Sequence, residues 1–390
     1  MSNNVSNHPS LNPRLAMNFI EAMTVTPQEQ GAQPIPVMIW GQPGIGKSAI
    51  IQQIGKKHGR AVIDVRLLLK DPTDISGLPY YNPKVDKLVY STPADFPDLN
   101  DPEQEHLHDA IIIFDELSSA PKAVQSAALQ LILDRKIGQY TLPEKVIMVA
   151  AGNRDGDGNS FEEMPTPLRN RFAHIDVIAD FTQWKKWAED NNIHPIVLGY
   201  LESNGNDFNK FDPRKLSGVY AFATPRSWER VSDALWSITD RATLAIKKSM
   251  LINMAGSLVG TDVANSLSAY YETFGQVPLP VDILEGRVTQ FDYNTLDNRK
   301  QQSARYATVL GLTHVLKERW NAVKGDKKAE QAYLDTELEH FVSYMQKSMQ
   351  SDKEFMAIAG ERVMQARIPA HKSEGFRPFV QSLHNVLNDI

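Results

Sequence analysis

The sequence predicts an α/β fold: a five-stranded parallel sheet sandwiched between helices, then an all-α region, then a further helical region. Three observations carry this. Between Pro36 and about Asp180, five short runs rich in β-branched residues alternate with helical patterns. Four of those runs have few polar breaks, as strands buried on both faces of a parallel sheet do. After Phe181 the strand-like runs stop and amphipathic helices take over.

The strand candidates are "PVMIW" (36–40), "AVIDV" (61–65), "AIIIFDE" (110–116), "KVIMVAAGN" (145–153) and "FAHIDV" (172–177). Residues 1–12, polar and without periodicity, are expected to be disordered, and 13–180 form the α/β domain. Within it, "LPYY" and "KLVYST" can pair as a hairpin across "NPKVD", an insert spanning about 71–97. Residues 181–280 read as a small helical domain, from "FTQWKKWAEDNN" through "TPRSWERVSDALWSI" to "ATLAIKKSMLINMAGSLV"; Pro278 and Pro280 punctuate its end. Residues 281–390 are helical again, with apolar residues at i, i+3, i+4 and i+7 in "SARYATVLGLTHVLKERW" and "AEQAYLDTELEHFVSYMQKSM".

Composition narrows the chemistry. The 390 residues are too many for one ordinary core. A net charge of -6 gives no support for general nucleic-acid binding. The lack of cysteine removes thiol catalysis and cysteine-ligated zinc, and suits a reducing cytoplasm. The polar start reads as no signal peptide, and the longest apolar runs fall far short of a membrane span. His106 and His108 have metal-like spacing but sit among mixed acids in a polar stretch, and read as solvated.

The stretch "MIWGQPGIGKSAIIQQIGKKHG" (38–59) places glycines between a strand and a helix, and Gly41, Gly46, Lys47 and Ser48 complete G-x-x-x-x-G-K-[ST]. A triphosphate needs many donors and a positive field. Backbone N–H groups of a tight loop supply the donors where no Cβ blocks the approach, and the following helix adds its N-terminal dipole. The loop residues are therefore Gly41, Pro43, Gly44, Ile45, Gly46, Lys47, Ser48 and Ala49, with Lys47 charging the β and γ phosphates and Ser48 offering a hydroxyl to Mg²⁺. The run "IIIFDE" ends a buried strand in two acids: Asp115 suits the magnesium shell, and Glu116 suits a general base toward water. Asn153, at the end of the next strand, can hold the attacking water or the γ-phosphate.

Together these residues resemble an AAA+ ATPase, a P-loop NTPase of αβα sandwich form, and are most similar to the MoxR family over roughly residues 15–280. The Walker A is "GQPGIGKS", the Walker B "IIIFDE", and sensor 1 corresponds to Asn153. "MPTPLRNRFAHIDV" resembles the segment that holds the arginine finger, with Arg171 the first choice by position and Arg169 the second. "ATPRSWERVS" resembles the lid motif, with Arg226 as sensor 2; Thr224 can cap that helix and Pro225 suits its first turn.

The resemblance implies ATP and Mg²⁺, and hydrolysis at the subunit interfaces of a homo-oligomeric ring, a hexamer. It further implies chaperone-like remodelling of a protein substrate, with a von Willebrand factor A domain partner on a separate chain. It also places the hairpin insert at an axial channel or partner, against the plainer reading of a surface hairpin. Two alternatives stay open: a nucleic-acid-directed motor of helicase or clamp-loader type, since "PLRNRF" resembles those as well, and a nucleotide-gated scaffold, against which a catalytic Glu116 argues.

Overall fold

The computed structural model describes residues 8–138, 140–157, 161–215, 217–239, 246, 248–373, 375–376 and 378–379. In chain order the first half contains β1 (Ser10–Leu11), α1 (Pro13–Met23), α2 (Val25–Glu29), β2 (Val37–Trp40), α3 (Lys47–His58), β3 (Val62–Arg66), α4 (Pro72–Ser76), β4 (Pro79–Asn82), β5 (Lys87–Tyr90) and β6 (Ile111–Asp115). Then follow α5 (Lys122–Asp134), β7 (Lys136–Ile137), β8 (Tyr140–Thr141), β9 (Ile147–Gly152), α6 (Thr166–Arg169) and β10 (Ala173–Val177).

The main sheet has the order β1-β10-β2-β9-β6-β3, and every pairing in it is parallel. Its strands alternate side chains between two faces. Ile111 and Ile113 pack with Val37, Ile39 and Val149 beneath Ala16 and Ile20 of α1 and Ile50, Ile51 and Ile54 of α3. Ile112 and Phe114 pack with Met38, Met148 and Ala150 beneath Val124, Ala128 and Leu131 of α5. Both faces are covered, which is why the runs show so few polar breaks. Each large aliphatic side chain buried this way stabilises the fold by about 1.5–3 kcal/mol.

The sheet therefore has six strands, not the expected five, and the sixth comes from the segment expected to be disordered. Ser10 and Leu11 lie opposite Asp176 and Val177, and the amide of Asp176 donates to the carbonyl of Pro9. An edge strand needs only one neighbour, so two residues suffice and leave no periodicity to read. What holds them there is the helix that follows: Asn12 caps α1 by accepting from the Leu15 amide, and Pro13 occupies its first turn. Residues 1–7 of that expectation lie outside the described residues.

The hairpin forms across 79–90, with Tyr80 opposite Val89 and Tyr81 opposite Leu88. Val89 is buried, whereas Tyr80, Tyr81, Leu88 and Tyr90 are exposed.

The chain divides into two compact units. The first comprises Met1–Trp184, Phe211–Val219 and Thr224–Arg226; the second comprises Lys185–Lys210, Tyr220–Ala223 and Ser227–Ile390. The remaining helices are α7 (Phe181–Asp190), α8 (Pro195–Ser203), α9 (Pro225–Ile238), α10 (Lys248–Val259), α11 (Thr261–Phe274), α12 (Pro280–Leu284), α13 (Asn298–Val323), α14 (Lys327–Asp335), α15 (Glu337–Met349) and α16 (Lys353–Gln365). Within the second unit α10 packs on α11, and α13 packs on α8, α12 and α16, so helices before and after Pro280 share one unit. The helix expected from Ala242 is described only from Lys248; residues 240–245 and 247 lie outside the described residues. No helix among the described residues is long and apolar enough to cross a membrane.

Candidate functional site

In a parallel sheet with helices on both faces, ligands gather beyond the carboxyl ends of the strands. Here β9 lies between β2 and β6, so the glycine loop after Trp40, Asn153 after Gly152, and Asp115 at the end of β6 all reach the same sheet edge.

The loop's shape depends on its glycines. Gly44 and Gly46 take φ of 77° and 94°, in the left-handed region that side chains resist. A Cβ on Gly44 would also stand 2.7 Å from Thr224 Oγ1, and one on Gly41 would stand 2.5 Å from the Ile45 Cδ1 atom and 2.8 Å from the carbonyl oxygen of Val177. Ile45 is buried beneath the loop as its anchor, while Pro43 is half-buried and Ala49 exposed on the first turn of α3.

Lys47 curls back over this loop. Its Nζ donates to the carbonyls of Gly41 (2.7 Å) and Gln42 (3.0 Å) and to Asn153 Oδ1 (2.9 Å). Burial pushes its pKa down to about 8; Asp115 and Asp157 oppose that, and Arg226 and Arg154 reinforce it. An ammonium so poorly solvated is poised to gain from an anion. Next to it, Ser48 Oγ donates to Asp115 Oδ2 at 2.8 Å. A hydroxyl and a carboxylate from two elements, both oxygen donors in contact, are the set a hard divalent cation takes.

Glu116 follows Asp115 with φ of 58°, and its amide donates to Asp115 Oδ1 at 2.9 Å. For a non-glycine residue that backbone costs about 1–2 kcal/mol, and such strain clusters at functional sites. Its carboxylate makes no hydrogen bond or ion pair among the described residues.

The arginines are placed differently from one another. The Arg226 amide donates to the carbonyl of Gly44 at 3.0 Å, tying the start of α9 to the loop within the first unit. Arg169 is exposed and paired with Glu163 at 3.2 Å. Arg171 is exposed too. Neither makes a hydrogen bond or ion pair to Lys47, Ser48, Asp115 or Glu116 among the described residues. His106 and His108 each hydrogen-bond a main-chain carbonyl, of Glu103 and Asp98 respectively.

Sequence reasoning missed three supporting residues. Ser118 is fully buried and hydrogen-bonded to the backbone of Asn153. Arg154 donates through Nε to Asp176 Oδ1 at 2.7 Å, and a second guanidinium nitrogen reaches the same oxygen. Asp176 is buried in β10. A lone acid inside an apolar strand run was the available signal, because a buried carboxylate needs a cation.

Residues 37–179 match the family described as "ATPase family associated with various cellular activities (AAA)". No curated protein matches the sequence. Among solved structures the chain is similar to Hsp104 in a closed state with ATPγS and FITC casein, at 15% identity and a TM-score of 0.37 over 47% of this chain and 36% of that one. It is similar to the Thermotoga maritima RuvB Holliday junction branch migration motor, at 14% identity and a TM-score of 0.34 over 72% of this chain and 79% of that one. It is also similar to a putative ATPase of Cytophaga hutchinsonii, at 15% identity and a TM-score of 0.29 over 58% of each chain. The chain thus spans little more than a third of the Hsp104 chain.

Proposed function

We propose that this chain, whose residues 37–179 match the AAA ATPase family, hydrolyses ATP at the subunit interfaces of a homo-oligomeric ring and remodels a protein complex in the manner of MoxR-like ATPases. The observation that carries the nucleotide chemistry is the joining of Lys47 to Asn153 and of Ser48 to Asp115 over a glycine loop at one sheet edge.

The loop amides and the α3 N-terminus hold the phosphates, and Lys47 exchanges its main-chain acceptors for phosphate oxygens. Ser48 and Asp115 would hold Mg²⁺, which when bound neutralises charge on the β and γ phosphates. Glu116 takes a proton from water, Asn153 orients that water, and Arg226 meets the nucleotide from the start of α9. Arg171, or Arg169 as second choice, serves a neighbour's site, where a positive charge meets the charge developing on the γ-phosphate. The ring is a hexamer, its partner carries a von Willebrand factor A domain on a separate chain, and it works in the cytoplasm.

The test is steady-state hydrolysis with parallel titration of a fluorescent ATP analogue. Glu116→Gln should bind the analogue within about threefold of wild type and lose about 10²-fold or more in turnover, the usual worth of a positioned base. Wild-type turnover in that variant would end the assignment. A several-fold, salt-sensitive rise of the wild-type rate on adding DNA would replace the remodelling reading with that of a nucleic-acid motor.

A further inference from the structure

The arginine-bearing turn is tied to the chain's own phosphate loop through one imidazole. Trp40, the last residue of β2, precedes Gly41, whose carbonyl holds Lys47. The Trp40 indole Nε1–H donates to His174 Nδ1 at 2.9 Å, and the two rings lie nearly coplanar, edge to edge, with planes 15° and centroids 6.0 Å apart. The other nitrogen of His174, Nε2, lies 2.7 Å from the carbonyl oxygen of Arg169. Because Trp40 can only donate, His174 Nδ1 must accept, and the ring's one proton sits on Nε2 and points at Arg169. The imidazole is thus held in one tautomer and one orientation from both ends.

The sheet register makes this geometry hard to escape. His174 pairs with Met38 and Asp176 with Trp40, so His174, Asp176 and Trp40 share one face. From Asp176 a second tie runs through Arg154 to the backbone adjoining Asn153. The turn itself is short: the Arg171 amide donates to the Leu168 carbonyl, and the Phe172 amide shares the Arg169 carbonyl with His174. A displacement of Arg169 O must therefore carry the base of Arg171 with it.

We propose that His174 is a positioning residue that transmits the state of the chain's own phosphate loop, through Trp40, to the arginine turn serving the neighbouring site. This rests on the finger reading of Arg171 given above. A loop that tightens around phosphate pulls on Trp40 through the Trp40–Gly41 peptide, and the hydrogen-bonded imidazole passes that displacement to the Arg169 carbonyl. Consecutive sites of a ring would thereby be coupled without any residue bridging them directly.

The experiment measures kcat and KM for MgATP, with analogue affinity, in Trp40→Phe, His174→Phe and their double, each with and without Arg171→Ala. Phenylalanine keeps an aromatic ring at either position and removes the hydrogen bonds. Each single variant should lose about tenfold in kcat, the worth of about one hydrogen bond, with KM and affinity within about twofold. The double should be no worse than either single, and neither change should lower kcat further once Arg171 is gone. A packing role would instead show multiplying losses in the double, or losses in KM and affinity, and either result overturns the proposal. If His174→Phe does not fold, Trp40→Phe alone decides between retained and reduced kcat. Impaired Arg171→Ala beside fully active His174→Phe and Trp40→Phe overturns the relay and leaves the finger standing. Fully active Arg171→Ala removes the finger reading and the relay with it.

Discussion

Ser118 Oγ lies 3.0 Å from both the amide nitrogen and the carbonyl oxygen of Asn153, accepting from the first and donating to the second. One hydroxyl thus clamps the main chain of the residue whose side chain holds Lys47. The approach is close enough that a Cβ on Gly152 would stand 2.6 Å from the same oxygen. Ser118→Ala leaves a buried donor and a buried acceptor unpaired, at a cost of about 1–3 kcal/mol. Thermal denaturation should register that loss. Turnover should fall about tenfold while analogue affinity changes little, because the loop's own amides are untouched. A variant of wild-type stability and rate would show that the clamp is idle.

Two glycines with nearly the same backbone separate strain from crowding. Gly44 and Gly31 have φ of 77° and 76°, but a Cβ on Gly44 meets Thr224 Oγ1 at 2.7 Å whereas one on Gly31 meets nothing within 4 Å. Both alanine variants carry the left-handed penalty of about 1–2 kcal/mol. Only Gly44→Ala should also weaken analogue binding, by about tenfold or more, if the loop displaced by that Cβ is the phosphate cradle proposed above. Equal affinities in the two variants would argue against that loop as the phosphate site.

The glycine loop, the two acids and Asn153 were legible because each has local chemistry: a residue type required at a fixed spacing beside a strand end. Ser118, Arg154 and Asp176 were not, because their roles arise only when β10, β2, β9 and β6 are ordered in one sheet. The same holds for Trp40 and His174, which are 134 positions apart and meet only through sheet register. The sixth strand escaped notice for another reason. Two residues at a sheet edge carry no periodicity, and their signal was the Asn12–Pro13 helix start behind them.

The second unit should be acid-sensitive through His194. This residue is fully buried, accepts from the Ile196 amide at the start of α8, and contacts Thr239 Oγ1. Burial, with His314 adding to it, pushes its pKa from 6.5 down to about 3. Below pH 6.5 the unfolded chain takes up a proton that the folded chain refuses until about pH 3. Stability is therefore complete above 6.5 and declines as pH falls through that window, by about 1.4 kcal/mol for each unit of depression. Denaturant midpoints across that range should fall for wild type. His194→Asn keeps an acceptor for Ile196 and cannot titrate there, so its midpoints should fall less steeply. Parallel slopes would place the acid sensitivity elsewhere.

Arg171 is exposed and makes no hydrogen bond or ion pair to Lys47, Ser48, Asp115 or Glu116 of its own chain among the described residues. If it serves a neighbour, activity must depend on assembly. Arg171→Ala should then bind the ATP analogue normally and hydrolyse ATP poorly, whereas Lys47→Ala should bind poorly. An arginine supplied across an interface is worth about 10³–10⁵ in rate in well-defined phosphoryl-transfer systems. Mixing the two inactive variants should restore part of the rate, because a mixed ring contains interfaces where an intact Lys47 meets an intact Arg171. Wild-type specific activity should likewise rise with protein concentration through the assembly range. The measurement is an ATPase assay across mixing ratios, with oligomeric state followed by light scattering. No recovery at any ratio, beside a wild type fully active as a dilute monomer, would confine Arg171 to its own chain and remove the ring from the mechanism.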